Sequence, residues 1–290
     1  MAFLLHLAAN LGYVEDLNQQ KNKEHYEKLY ANFNINNIIY WINNLDSFLA
    51  SATSTETSWF ALYQNHFAEK IKGKKVMEMG CGDCVNAAVM AALGAEVYAN
   101  DLADASGEII KKLNDSYNFR IPITFVAGDF LKNELPSHSF DFVVGKAFLH
   151  HLTIPLERKF LKETARLLKD KGEARFFEPA VNNRILDEIR WHIPVKGRPS
   201  KFNKRAFKVW KENDPHPDRS FSSKHFEQAG KEFFKEVKTV PVGTLERFSR
   251  LMNSGESRNK FKRWALTNEK NIPLSINRPF ARSQMIIYKH

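Results

Sequence analysis

Cysteine is scarce in this chain of 290 residues: there are two, Cys81 and Cys84, three positions apart. That excludes a disulfide scaffold and fits a reducing cytoplasm. Long apolar runs are missing as well. No window approaches ~18 uninterrupted apolar residues, so no membrane-spanning helix is expected. With 13 glycines and 11 prolines the chain is neither collagenous nor low-complexity. Its 43% hydrophobic and 26% charged content is that of a globular protein, and at ~150 residues per domain the length allows one large domain or two small ones. The opening MAFLLHLAANLGYVEDL lacks a basic leader region and is broken by His6. It reads as an amphipathic helix packed on the body or on a twin subunit, not as a secretory signal.

Acidic residues are in deficit only in the second half. Residues 1–150 carry a net −5 and residues 151–290 a net +15, for a total of +10. The densest basic run, 196–211 (KGRPSKFNKRAFKVWK), has seven basic residues and no acid, and a second lies at 258–264 (RNKFKRW). Both are interleaved with aromatics. They are either a solvated face or a surface for an anionic partner such as phosphate, carboxylate or nucleic acid.

Periodicity divides the chain. Residues 1–72 read as helical, and the pattern then alternates. Strands are predicted at 74–80, 96–102, 123–129, 140–146 and 173–179, with helices at 84–93, 103–116 and 155–169 between them. Alternation at this spacing gives parallel strands joined by crossover helices, buried on both faces, which explains unbroken runs such as FDFVVG. A helix is expected at 180–193, and 194–220, with Pro194, Pro199, Pro215 and Pro217, reads as an insertion or lid over the strand ends. A helix at 222–234 and strands at 235–242 and 283–290 complete a seven-stranded, mostly parallel, doubly wound α/β sheet of Rossmann-like type. The implied divisions are 1–72, a core at 73–180, a cap at 181–217, and 218–290 returning to the sheet. Open sheets of this kind bind ligands at the carboxyl ends of their strands, which here carry Gly80, Asp101, Asp129 and Lys146.

The stretch Glu78-Met-Gly80-Cys-Gly82-Asp83-Cys84 follows a strand and opens a helix. Glycines let the backbone bend and let a ligand approach, and the helix presents N–H groups to it. A nicotinamide-dinucleotide fingerprint would need a third glycine at 85, where valine stands, and no Gly-Lys-Ser/Thr follows to make a P-loop.

This E-x-G-x-G arrangement resembles the first motif of the class I S-adenosylmethionine-dependent methyltransferases, and further motifs match in order. Asp101 ends the second strand, and Gly128-Asp129-Phe130 the third. Phe140-Asp141-Phe142-Val143-Val144 runs on to Leu149-His150-His151-Leu152, and Leu167-Leu168-Lys169…Gly172 leads to Phe177-Glu178-Pro179. The resemblance covers about 74–180 well and 218–290 loosely. It implies S-adenosyl-L-methionine as cofactor, released as S-adenosyl-L-homocysteine. Asp101 would take the ribose hydroxyls, Asp129 the adenine amino group, and Leu102 and Phe130 the adenine faces. Gly80, Cys81, Gly82 and Lys146 would line the cofactor, and Glu78 would order the turn or meet the methionine amino group. Tyr26 and Tyr30 resemble N-terminal tyrosines that close over the cofactor. Many members carry a glycine where Cys84 stands, which suggests a slightly tighter pocket. For each residue a bland alternative exists: a turn glycine, a capping aspartate, a core aromatic. Cys81 and Cys84 as a redox pair or half a zinc site lack further ligands, and no metal is expected.

Methyl transfer needs alignment and exclusion of water, and a base only if the nucleophile carries a proton. His150 and His151 are the candidates for that base. Glu178, Arg184, His216 and Arg219 are candidates for acceptor contact. The N-terminal helices and the cap favour a small-molecule acceptor, methylated at O, N or C, in a monomer or homodimer. A nucleic-acid methyltransferase is the rival that the basic half suggests, although no Asn/Asp-Pro-Pro-aromatic motif follows strand four. A non-catalytic cofactor-binding subunit is a second.

Overall fold

A computed structural model of the chain describes residues 19–195, 197–213 and 220–290. The helix expected at 1–17 and the candidate residues His216 and Arg219 lie outside the described residues. Seven strands form one sheet: β1 (Lys75–Met79), β2 (Glu96–Asp101), β3 (Thr124–Ala127), β4 (Phe140–Lys146), β5 (Leu168–Pro179), β6 (Glu236–Val242) and β7 (Ser283–Lys289). Their order is β3-β2-β1-β4-β5-β7-β6. All neighbours are parallel except β7, which runs antiparallel to β5 and β6. The expected doubly wound, mostly parallel sheet is therefore present, and strand order reverses between β1 and β4, where the crevice opens.

Successive strand residues feed two different cores, as a period of two demands. Val76, Val144, Phe177, Met285 and Ile287 join one cluster, with α2 (Asn36–Asn43), α4 (Thr57–Tyr63), α6 (Val85–Ala92) and α7 (Asp104–Ser116). Met77, Val143, Phe176, Ile286 and Tyr288 join the other, with α8 (Ile154–Leu167) and α11 (Ser223–Gly230). Alanines at 87, 88 and 91 are buried, which lets α6 pack close to the sheet.

One expectation needs correction. The helix expected to run to 169 ends at Leu167, and β5 begins at once with Leu168 opposite Phe140. The N–H groups of His138 and Ser139 take the carbonyls of Arg166 and Leu167, which stops the helix there. The segment read as an insertion holds α10 (Lys204–Glu212), capped by Asn203 Oδ1 accepting from Ala206 N at 3.2 Å. The apolar side of α9 (Arg184–His192) faces outward, with Ile185 and Ile189 exposed.

Arg175 on β5 locks the N-terminal helices to the sheet. It is almost fully buried, donates from Nη1 to the carbonyls of Leu62 (2.8 Å) and Gln64 (3.1 Å), pairs with Glu173 and lies over the Phe67 ring. Arg175→Ala should lower unfolding free energy by about 3–5 kcal/mol, because it strands a carboxylate and two carbonyls. Urea titration measures this, and a loss under about 1 kcal/mol would contradict the assignment.

Candidate active site

A cavity of about 300 Å³ opens at the carboxyl ends of β1, β2 and β4. Its floor is the turn after β1. Gly80 and Gly82 have φ of +63° and +52°, conformations that glycine adopts at no steric cost. A Cβ on Gly80 would fall 2.3 Å from the Phe148 ring, and one on Gly82 2.9 Å from the Tyr30 hydroxyl. Both glycines are thus required by neighbours that also line the cavity.

Cys84 carries the same left-handed backbone, φ 59°. That accounts for a third glycine in related motifs, and cysteine bears the strain here. Its sulfur turns into the core, 3.5 Å from the Gly82 and Ser106 carbonyls and 3.7 Å from Cys81 Sγ. Cys84 is not part of the cavity wall, so the expected tightening of the pocket does not arise from it. Burial pushes both thiols up, which makes them poor nucleophiles.

Asp101 joins the turn to the end of β2. Its Oδ2 accepts from Gly82 N at 2.8 Å and its Oδ1 from Ala103 N at 2.9 Å. Burial raises the Asp101 carboxyl and these backbone bonds oppose the rise. Asn100, missed in the sequence, donates to the carbonyls of Val126 and Gly128 and ties in the end of β3. A polar side chain one position before the strand-ending acid was the available signal.

The roof is α1 (residues 19–30). Tyr26 and Tyr30 stack at 5.7 Å and line the cavity, as do Asn22 and Lys23, which sequence reasoning did not single out. Burial pushes the Tyr30 phenol up. Glu27 accepts from the N–H groups of Asp104 and Ala105, and Lys23 pairs with Asp104 at 2.9 Å, so α1 is clamped to the start of α7. These contacts join segments some eighty residues apart, and no local pattern announces them.

The far wall follows β4. Lys146 lines the cavity, with its ammonium 5.1 Å from the Trp59 ring. Ala147 takes φ 59°, an uncommon conformation for a residue with a Cβ. His150 and His151 line the cavity with rings 4.3 Å apart. Behind them Glu178, fully buried, accepts from the backbone N–H of Phe148 (2.9 Å), Leu149 (2.6 Å) and His150 (3.3 Å), and meets His150 Nδ1 at 2.8 Å. A carboxylate at this position accepts from Nδ1 and so orients the ring. His151 Nδ1 meets Asn22 Oδ1 at 3.1 Å.

Of the remaining candidates, Cys81, Leu102 and Phe130 line the cavity, and Phe130 stacks on Phe160. Glu78, Asp129, Glu178 and Arg184 do not line it. Glu78 lies buried beneath the turn, where its Oε1 accepts from Asn86 Nδ2 at 2.7 Å. Asp129 caps its own turn by accepting from Leu131 N at 3.0 Å. Arg184 is exposed at the first turn of α9. Among the described residues no group of three or more His, Cys, Asp or Glu side chains is placed to hold a metal ion, and no helix is long and apolar enough to cross a membrane.

Residues 77–176 match the model of a methyltransferase domain. The ubiquinone biosynthesis O-methyltransferase of Idiomarina loihiensis is 31% identical over 113 residues, covering 39% of this chain and 45% of the relative. That of Proteus mirabilis is 28% identical over 116 residues, with the same coverage. The chain thus spans about half the length of these curated relatives. Among solved structures, an S-adenosylmethionine-dependent methyltransferase from Archaeoglobus fulgidus superposes with a TM-score of 0.51 at 15% identity, over 80% of this chain and 93% of that one. A chain of the Haloferax volcanii complex between a methyltransferase activator and its methyltransferase does so at 0.51 and 14% identity, over 87% and 95%. At such identity these likenesses concern the fold. Across residues 77–176, about a third of the chain, the sequence is therefore similar to methyltransferases.

Burial raises the Glu78 carboxyl to about 8, against the pull of the Asn86 hydrogen bond and of Lys146. The folded chain keeps a proton there that the unfolded chain, with an ordinary value of 4.5, gives up. Stability from this group is therefore full below about pH 4.5 and lost as pH rises through about 8. Thermal melts between about pH 5 and about pH 8 should fall for the native protein and stay flatter for Glu78→Gln. Parallel curves would refute the assignment.

Proposed function

We propose that this chain is an S-adenosyl-L-methionine-dependent methyltransferase acting on a small molecule at an oxygen or nitrogen atom. The observation that carries the acceptor chemistry is the pair His150–Glu178, whose 2.8 Å contact fixes the imidazole at the wall of the cavity.

The residues present suit the cofactor. The Gly80–Gly82 turn lines the cavity. Asp101 stands beside it to accept ribose hydroxyls, and Leu102 and Phe130 offer apolar walls to a purine. When bound, S-adenosyl-L-methionine supplies an electrophilic methyl group. The chain's own part is then to align the acceptor, exclude water and take up a proton. Tyr26 and Tyr30 cover the cavity, which favours a compact acceptor over a polymer. His150 Nε2 accepts the proton of an acceptor hydroxyl or ammonium, and Glu178 holds the ring in the required tautomer and stabilises the imidazolium that forms. The O-methyltransferase relatives agree with oxygen as the acceptor atom. Two buried thiols 3.7 Å apart and not bonded suit a reducing, cytoplasmic setting.

The test is incubation with methyl-labelled cofactor and a metabolite extract freed of protein and nucleic acid. Label should appear in a low-mass product. His150→Ala should lower turnover by ~10²–10⁴-fold while S-adenosylhomocysteine affinity is kept. Glu178→Gln, acting through the imidazole, should also displace the pH–rate profile. Label entering only RNA or protein, or unchanged turnover in His150→Ala, would refute the reading.

A further inference from the structure

The cavity occupies the β1, β2 and β4 side of the sheet edge. On the β5, β7 and β6 side of the same edge stands a second group of residues. Arg282 immediately precedes β7, whose Ser283 lies opposite Pro179 at the end of β5 and Val242 at the end of β6. Arg247 and Arg250 sit on the turn Glu246–Leu251 that follows β6, and Arg190 and Arg198 lie on and just beyond α9, which follows β5.

These side chains feel one another. Arg247 faces Arg190 and Arg282, and Arg250 faces Arg282, Arg198 and Arg190. Arg198 faces Arg190, and Asp187 lies near both. Two carboxylates pair with them among the described residues: Asp187, 2.7 Å from Arg190 Nη2, and Glu246, 2.6 Å from Arg282 Nη2. Arg198, Arg247 and Arg250 make no ion pair among the described residues, so three of the five guanidiniums lack a carboxylate partner there. Burial, and then the neighbouring guanidiniums, push Arg250 down to about 10. Like charges gathered in this way repel, so the arrangement costs stability as it stands.

The cluster is nonetheless held in place. Arg190 and Arg198 lie over the same Trp191 ring, at 4.6 and 4.9 Å. Arg198 Nη2 donates to the carbonyls of Arg190 and Ile193, Arg247 Nη1 to that of Phe280, and Arg282 Nη2 to Thr57 Oγ1. Donors remain unused within it. The Nε atoms of Arg190 and Arg198 are buried without a hydrogen-bond partner among the described residues. Arg250 is exposed, with its donors open to solvent. Buried donors without acceptors are costly, and a cluster that keeps these two beside an exposed guanidinium can take an acceptor supplied from outside.

We propose that Arg190, Arg198, Arg247, Arg250 and Arg282 form a binding site for the phosphate or diphosphate group of a small-molecule ligand. This deepens the reading above and rests on it in one respect, that the ligand is the methyl acceptor. The planar guanidinium fork pairs with two oxygens at once, and several forks around one anion select phosphoryl groups. A lone carboxylate carries a single negative charge and would leave most of these three guanidiniums unmatched. The cluster also connects to the cavity wall through α4. Arg282 bonds Thr57 on α4, and two residues on, Trp59 carries Lys146 at the cavity wall.

The test is calorimetry of the full chain with pyrophosphate, with S-adenosylhomocysteine titrated separately. Pyrophosphate should bind the native protein and bind Arg250→Gln about ten- to a hundredfold more weakly, the effect of losing one charge-assisted contact. Affinity for S-adenosylhomocysteine should be unchanged in that variant, which also shows that it is folded. Arg190→Gln, measured in parallel, should weaken pyrophosphate binding in the same way. Absence of pyrophosphate binding, or equal binding in both variants, would overturn the proposal. So would tight binding of a single-stranded oligonucleotide without any of pyrophosphate. Loss of S-adenosylhomocysteine binding alone would count against the methyltransferase reading and leave the anion site standing.

Discussion

The carboxylate of Asp101, held between the N–H groups of Gly82 and Ala103, is the contact on which the arrangement of this protein turns. It couples the loop after β1 to the end of β2 at the point where strand order reverses. Ser106 Oγ adds a bond to the Gly82 carbonyl at 2.7 Å, so α7 is tied to the same loop. The loop can take this shape only because Gly80 and Gly82 lack a Cβ, and their neighbours Phe148 and Tyr30 fill the space so left. Turn, acid, roof and far wall are thereby fixed relative to one another before any ligand arrives, which is what preorganisation of a binding site requires.

A second carboxylate organises the other side of the crevice. Glu178 gathers three backbone N–H groups and one imidazole nitrogen at the end of β5. A buried acid with this many donors is fully satisfied, and it makes the short turn after β4 rigid where the histidines stand. Glu78 is the contrasting case. It has one good partner in Asn86, and its Oε2 has none among the described residues. The three acids at the strand ends therefore hold different positions: Asp101 open to the cavity, Glu178 behind its wall, and Glu78 beneath its floor.

Much of this was legible in the sequence. Unbroken apolar runs alternating with amphipathic helices specify a parallel sheet, and the spacing of Gly80, Gly82 and Asp101 specifies where its crevice lies. Local pattern could not show which way a side chain at a strand end points. Glu178, an expected acceptor contact, accepts from the backbone of Phe148 to His150. Asp129, an expected adenine contact, also caps its own turn through Oδ1. The roof is a tertiary matter, since Glu27 and Lys23 meet α7 only after the chain has folded back. The five arginines lie between positions 190 and 282, and no run or motif unites them. Of the basic runs that stood out, 196–211 supplies Arg198, and the other basic residues fall mainly on α10 and α12 (Glu256–Glu269).

The account stands most directly on calorimetric titration of S-adenosylhomocysteine into the native chain and into Asp101→Ala, with thermal melts confirming that both are folded. It predicts saturable binding to the native protein and a loss of about 1–3 kcal/mol in the variant, the scale for hydrogen bonds to a charged group. No heat with folded native protein, or equal affinity in the two, would contradict it.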